Sequence, residues 1–260
     1  FPESALMRPC PMQALDLADD IEFDLVILPY QVWYLAPSIP VMSFLKSDQA
    51  KRLLKGKPVI TVIACRNMWF KAQEKMQTLL SDIGAHLTDN IALTDPNSTL
   101  ATLITTPRWL WFGKKTPFWG LPAAGLTEAQ VRGTRRFGLA LCTALRNGEE
   151  KTGKPMLLGL QAVNANPHLL ASERAGTHSF RIWGGWISKL GPPGAPQRKP
   201  MLALYTAFLI LLIICVVPIS LSVQMLLRPF MKQKFATLKE SFELPSGSDS
   251  HRMNTFKEPL

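Results

Sequence analysis

Two short runs rich in β-branched residues, Phe23-Asp24-Leu25-Val26-Ile27-Leu28 and Pro58-Val59-Ile60-Thr61-Val62-Ile63-Ala64-Cys65, constrain this chain most. Neither alternates cleanly between apolar and polar residues. Strands that read this way are buried on both faces, as in a parallel sheet covered by helices. Asn90-Ile91-Ala92-Leu93-Thr94 is a weaker third strand. Between the first two, Ser38 caps an expected helix with Pro40 in its first turn and Val41, Phe44 and Leu45 facing inward. Between the second and third, Ala72, Met76, Leu79, Leu80 and Ile83 fall on one helical face, and Gly84 stops the helix. Thr127 and Gln130 form a capping box for a further helix, whose inward face would be Val131, Thr134, Gly138, Leu141, Cys142 and Leu145. The βαβαβ…α order predicts an α/β fold with a doubly wound parallel sheet, in which ligands sit beyond the C-terminal ends of the strands.

Charge and apolar patterning divide the rest of the chain. The net charge of +10 is concentrated in residues 103–200, which hold fourteen Lys/Arg against four Asp/Glu. This basic stretch precedes a run of 27 uncharged residues, Met201–Leu227, long enough for a membrane-spanning helix that Pro218 would kink. The expectation is a single-pass inner-membrane protein with its α/β domain cytoplasmic, in contact with membrane lipids. Its expected divisions are a linker at 1–22, containing Asp16, Asp19 and Asp20, and an α/β domain at 23–150. A basic juxtamembrane segment at 151–200, the span at 201–227 and a disordered tail at 228–260 follow. Residues 103–126, with Trp109, Trp111, Phe112, Phe118 and Trp119 around Lys114 and Lys115, read either as a membrane-surface segment or as an aromatic subdomain packed on the sheet.

Several functions lack their residues. Cys10, Cys65, Cys142 and Cys215 form no C-x-x-C pair, and the four histidines are scattered, so no metal site or disulfide framework is expected. No zinc-finger, helix-turn-helix or RNP-like pattern accompanies the basic charge, which argues against nucleic acid.

The chemistry is expected where the first two strands end. Tyr30, Gln31, Val32, Trp33 and Tyr34 follow the first strand, and Cys65, Arg66, Asn67 and Met68 follow the second. Aromatic rings at that edge can cover a planar ligand, and polar groups there can bond its heteroatoms, so a flavin suits the position better than a sugar or a metal. Trp33 and Tyr34 could equally pack a helix onto the sheet. Arg66 could pair with Asp95, or place positive charge near a reduced flavin.

At these residues the sequence resembles flavodoxin-like proteins, in which a Tyr-x-x-Trp followed by Pro forms one flavin loop; Tyr30, Trp33 and Pro37 match it. With Ala171–Gly176, Phe180–Gly184 and the apolar run, the stretch from Asp24 to Asp95 resembles the bacterial family labelled dialkylresorcinol condensing enzyme. The resemblance implies FMN as cofactor, held by residues 30–34 and 65–68, a lipophilic small-molecule substrate, and NAD(P)H or a reductase as electron donor. Carbon–carbon condensation needs a thiolase-type Cys/His site that the sequence does not display, so flavin-dependent oxidation of a cyclic diketone to a resorcinol suits the fold better. Flavodoxin-like proteins begin with a strand and a Ser/Thr-rich phosphate loop, and no such unit precedes Phe23. The expectation is therefore a flavodoxin-like sheet lacking its first βαβ portion. The alternatives are a membrane-bound electron carrier and a non-enzymatic scaffold.

Overall fold

Tyr30, Val32 and Trp33 continue the first apolar run past Leu28, and the strand they form runs on to Trp33. In the computed structural model, which describes residues 1–17, 21–227 and 232–256, the strands are β1 (Val26–Trp33), β2 (Ala36–Pro37), β3 (Pro58–Cys65) and β4 (His86–Thr94). They form one mixed sheet of order β2-β1-β3-β4. β1, β3 and β4 are parallel, whereas the two residues of β2 turn back antiparallel on Val32 and Trp33. The sheet is therefore α/β but not wholly parallel. From Val26 to Gln31 the outer side of β1 is an edge, a place where Pro29, which has no amide to donate, is tolerated.

The first strand is not covered on both faces, contrary to its sequence pattern. Leu28 and Tyr30 face the core, while Ile27 is 52% exposed and Pro29 and Gln31 are also exposed. β3, flanked on both sides, has the two-sided burial expected of such a run.

Helix α1 (Pro2–Ala5) precedes the sheet, α2 (Ile39–Leu45) and α3 (Asp48–Leu54) join β2 to β3, and α4 (Phe70–Asp82) joins β3 to β4. The expected helix after Ser38 is two helices, and it is Ser47 whose side chain caps the second, accepting from the Ala50 amide. α4 buries Ala72, Met76, Leu79 and Leu80, with Ile83 just beyond it, on the face their spacing defines. A buried polar chain ties α4 to all three parallel strands. Tyr30 Oη donates to Gln73 Oε1 at 2.6 Å, Gln73 Nε2 to Thr61 Oγ1 at 3.2 Å, and Thr61 Oγ1 to Asn90 Oδ1 at 3.0 Å. Tyr30→Phe would leave the Gln73 oxygen buried without a donor, which costs about 1–3 kcal/mol. The expected result in urea denaturation is that loss, with ligand binding at the sheet edge unchanged because Tyr30 faces the core.

The basic half of the chain differs more from expectation. Residues Thr99–Phe112 form α5, whose C-terminal turns and following loop do not pack on the sheet: Trp111 and Phe112 are exposed and Trp119 is 96% exposed. The capping box at Thr127 and Gln130 is formed, but the helix breaks at Thr134 into α6 (Glu128–Gly133) and α7 (Arg135–Arg146). That break resets the helical face, so Phe137, Ala140, Leu141 and Ala144 are buried while Val131 and Cys142 are exposed.

Two helices close the chain's long segments, α8 (Leu170–Ser188) and α9 (Arg198–Leu227). The single-pass transmembrane reading is overturned: among the described residues no helix is long and apolar enough to cross a membrane. Instead, the first turns of α9 pack against the domain. Tyr205 stacks on Phe1 with ring centroids 4.2 Å apart and lies 5.6 Å from Trp183 of α8, which is also 5.1 Å from Phe208. Arg198 donates to Glu3 at 2.7 Å, a largely buried ion pair that pins the start of α9 to α1. Tyr205 and Phe208 thus join an aromatic cluster, while Leu204, Ile210 and Leu211 stay exposed. The side chains of Ile214 and of Val216–Leu227, including Pro218, lie outside the described residues, as do Asp19 and Asp20.

Described segments near both termini pack on the domain as well. α1 docks on α8, and the tail, expected to carry no fold, forms α10 (Lys232–Glu243) and, after it, a segment in which, among the described residues, Ser246 alone is buried. Phe242 stacks on Phe70 at 4.3 Å. Asp89, fully buried on β4, accepts from the Met156 and Leu157 amides and from Ser246 Oγ, which fastens the 156–157 turn and the tail to the sheet.

Candidate functional site

The turn from β1 to β2 is where the backbone is most constrained. Tyr34 and Leu35 both lie in the left-handed region, with φ of 52° and 57°. A two-residue hairpin turn of this kind favours Asn and Gly, and placing Tyr and Leu there stores strain. Surrounding contacts hold the turn. Lys75 Nζ donates to the Leu35 carbonyl at 2.9 Å, Ser4 Oγ donates to the Trp33 carbonyl at 2.7 Å, and the Tyr34 ring packs on Phe1 at 4.6 Å. Gly176 of α8 lets Leu35 approach closely, since a Cβ there would sit 3.0 Å from Leu35 Cδ1.

This turn forms one wall of a cavity of about 530 Å³ at the C-terminal edge of the sheet. The sheet edge contributes Val32, Tyr34, Leu35, Cys65, Arg66 and Met68. α5 adds Thr99 and Leu103, α8 adds Ala171, Ser172, Ala175 and Phe180, and α9 adds Leu209, Leu212 and Ile213. Its volume is that of a small-molecule site, and its walls are mainly apolar. A smaller cavity of about 280 Å³ lies at the opposite end of the strands, beside Phe23, Pro58 and His86, away from the strand exits.

Of the residues expected at the site, Val32, Tyr34, Cys65, Arg66 and Met68 line this cavity. Tyr30 does not; β1 continues through it and its side chain is buried against α4. Gln31 and Trp33 alternate onto the other face of the sheet, where Trp33 Nε1 donates to Gln31 Oε1 at 3.1 Å. Asn67 sits behind the wall, its Nδ2 donating to Thr99 Oγ1 at 3.4 Å and its Oδ1 buried without a partner. Reading 30–34 as a loop concealed this split. Strand alternation through Trp33 separates the five residues onto two faces.

Burial dominates the electrostatics here. The Cys65 thiol is pushed up to about 12, first by desolvation and then by the nearby Glu173 carboxylate, so it is a neutral wall group at physiological pH. Burial also lowers the Arg66 guanidinium from its ordinary value, although it stays a cation. Glu173, which the sequence reading did not single out, is fully buried. Its Oε2 accepts from the Lys71 amide at 2.7 Å and its Oε1 from the Phe70 amide at 3.3 Å. The first-turn amides of α4, a ready anion site after a strand, are therefore filled by the protein's own carboxylate.

That arrangement bears directly on FMN. The cavity offers an apolar slot for a ring system, with Tyr34 at its wall, but a flavin phosphate needs several converging donors. Glu173 already takes the α4 amides, Arg66 is the one cation lining the cavity among the described residues, and Trp33 faces away. The described residues do not fit the whole of FMN.

Fold and site thus define an α/β protein with a mixed sheet and an apolar cavity where parallel strands end. Comparison with protein-family models, with curated proteins and with solved structures finds no match.

Proposed function

We propose that this chain holds a lipophilic small molecule in the cavity between the sheet edge, α5, α8 and α9, as the substrate-binding part of a flavodoxin-like oxidoreductase. The observation that carries the reading is the cavity itself: about 530 Å³, mainly apolar, and placed where the loops leaving β1 and β3 meet. The redox class rests on the resemblance of the sequence to flavodoxin-like proteins and not on the positions of Tyr30 and Trp33, which face away from the cavity; an electron carrier or a scaffold has no use for a substrate-sized cavity. The exposed Trp111, Phe112 and Trp119 near Lys114 and Lys115 favour uptake of the molecule from a lipid surface.

A neutral environment-sensitive dye, N-phenyl-1-naphthylamine, tests the site. The expected result is saturable fluorescence enhancement, lost in Ala175→Trp, which fills the cavity from α8. FMN at the same micromolar concentrations is expected to leave its visible spectrum unshifted when mixed with this chain. Dye binding that survives Ala175→Trp would place the lipophilic site elsewhere. Tight FMN binding that displaces the dye would make the cavity a cofactor site instead.

A further inference from the structure

Arg66 is a cation on the wall of an apolar cavity, and the structure gives it weak company. Its Nη1 donates to Thr102 Oγ1 at 3.3 Å and its Nη2 contacts Met68 Sδ at 3.7 Å. Among the described residues no carboxylate stands within 4.0 Å of it. The charge of Asp95 acts on Arg66 through space without a direct bond, because its oxygens are taken by backbone: Oδ1 accepts from the Asn97 amide at 3.0 Å and Oδ2 from the Gly125 amide at 2.6 Å. Glu173 is likewise committed to the α4 amides.

A half-buried guanidinium with a hydroxyl and a thioether for partners runs against the rule that buried charges are paired. Its planar fork matches a carboxylate, to which it can donate two parallel bonds. Around it the cavity is apolar, with Val32, Leu103, Leu209 and Leu212 positioned to cover a hydrocarbon body. A lone cation suits a monoanion better than a phosphate, which calls for more donors.

We infer that the cavity selects an amphiphile with a carboxylate head, bound by Arg66, and an apolar chain lying between the sheet edge and α9. The inference deepens the lipophilic-ligand reading and rests on it. A carboxylate bonded to Arg66 completes the partner set of the guanidinium, and the surrounding apolar walls strengthen that bond by excluding water. Neutral molecules of the same length gain only the apolar contact. Cationic ones meet Arg66 as a like charge.

Displacement of N-phenyl-1-naphthylamine from the full chain at pH 7.5 by decanoate, decan-1-ol and decyltrimethylammonium reads the head-group preference. Decanoate is expected to displace the dye at a concentration at least tenfold below that of decanol, with the ammonium weakest, a charge-assisted hydrogen bond being worth about 10-fold or more in affinity. Arg66→Met, which keeps the length and apolar stem, is expected to bring decanoate down to the level of decanol. Arg66→Lys is expected to restore part of the preference. Equal displacement by decanoate and decanol in the unaltered protein overturns the inference while leaving the lipophilic-ligand reading in place. Failure of every decyl compound to displace the dye overturns both. Because the head-group comparison uses the unaltered protein, it stands even if Arg66→Met does not fold. A decanoate preference that persists in Arg66→Met, or decyl phosphate displacing the dye more strongly than decanoate, also overturns it.

Discussion

Tyr205→Ala is expected to lower stability by about 3–5 kcal/mol and to abolish dye binding in the cavity. The size follows from removing a large buried aromatic and leaving a void that its neighbours fill only in part. Tyr205 is 3% exposed, stacked on Phe1 and flanked by Phe180 and Trp183. Its loss also frees the start of α9, and with it the cavity wall formed by Leu209, Leu212 and Ile213. Tyr205→Phe separates packing from polarity. The Tyr205 hydroxyl is buried with no hydrogen-bond partner, so its removal is expected to leave stability unchanged or slightly higher. Urea denaturation of both variants checks the pair. A Tyr205→Ala protein as stable as the parent would mean that the α9 contacts are incidental, and the account of why the uncharged run packs on the domain would fail.

The second large effect is a pH dependence centred on Glu173. Burial raises its carboxyl from the ordinary value of 4.5 to about 7, against the opposing pull of the α4 amides. A carboxyl raised on folding binds a proton that the unfolded chain has released, so the folded state gains stability relative to neutral pH wherever that proton is held. The contribution is full below about pH 4.5 and is lost as pH rises through about 7. A shift of that size corresponds to roughly 3 kcal/mol. Asp89, raised by burial, acts in the same sense, whereas Glu3, paired with Arg198, is held below its ordinary value and acts in the opposite one. The difference between the parent and Glu173→Gln isolates the effect, because glutamine keeps one acceptor for the α4 amides and cannot ionise. Melting curves from pH 5 to 8 are expected to show the parent losing stability relative to Glu173→Gln by about 2.5 kcal/mol, most of the full effect. Parallel curves would mean that Glu173 is ionised throughout, and its role as an internal anion would need only the geometry.

Much of the sheet was legible before any coordinates. Val59–Cys65 is β-branched or apolar on both faces because β3, inside the sheet, has almost no solvent side; Ile91–Thr94 lies on β4 at the edge, and period-3.6 spacing placed the buried face of α4 residue by residue. The turn after β1 was legible as a place of interest and misread as a loop. Local sequence does not say where a strand stops when aromatic residues continue its pattern. The split of Tyr30, Trp33 and Tyr34 among core, far face and cavity depends on that stopping point, and on Tyr34 and Leu35 accepting a left-handed conformation that only tertiary contacts sustain.

The apolar run at 201–227 marks the same boundary from the other side. Its composition determined that it would be a helix whose apolar side chains favour contact over water, although among the described residues Leu204, Ile210 and Leu211 remain exposed. Hydropathy alone does not distinguish a lipid bilayer from an aromatic cluster. Phe1, Phe180 and Trp183 come from segments remote in sequence, and only the fold brings them together into a surface that receives Tyr205 and Phe208. Arg66 shows the converse: its charge and its position after β3 were evident in the residues, but that no carboxylate bonds it directly was decided only when folding committed the oxygens of Asp95 and Glu173 to backbone amides, leaving Asp95 to act on it through space.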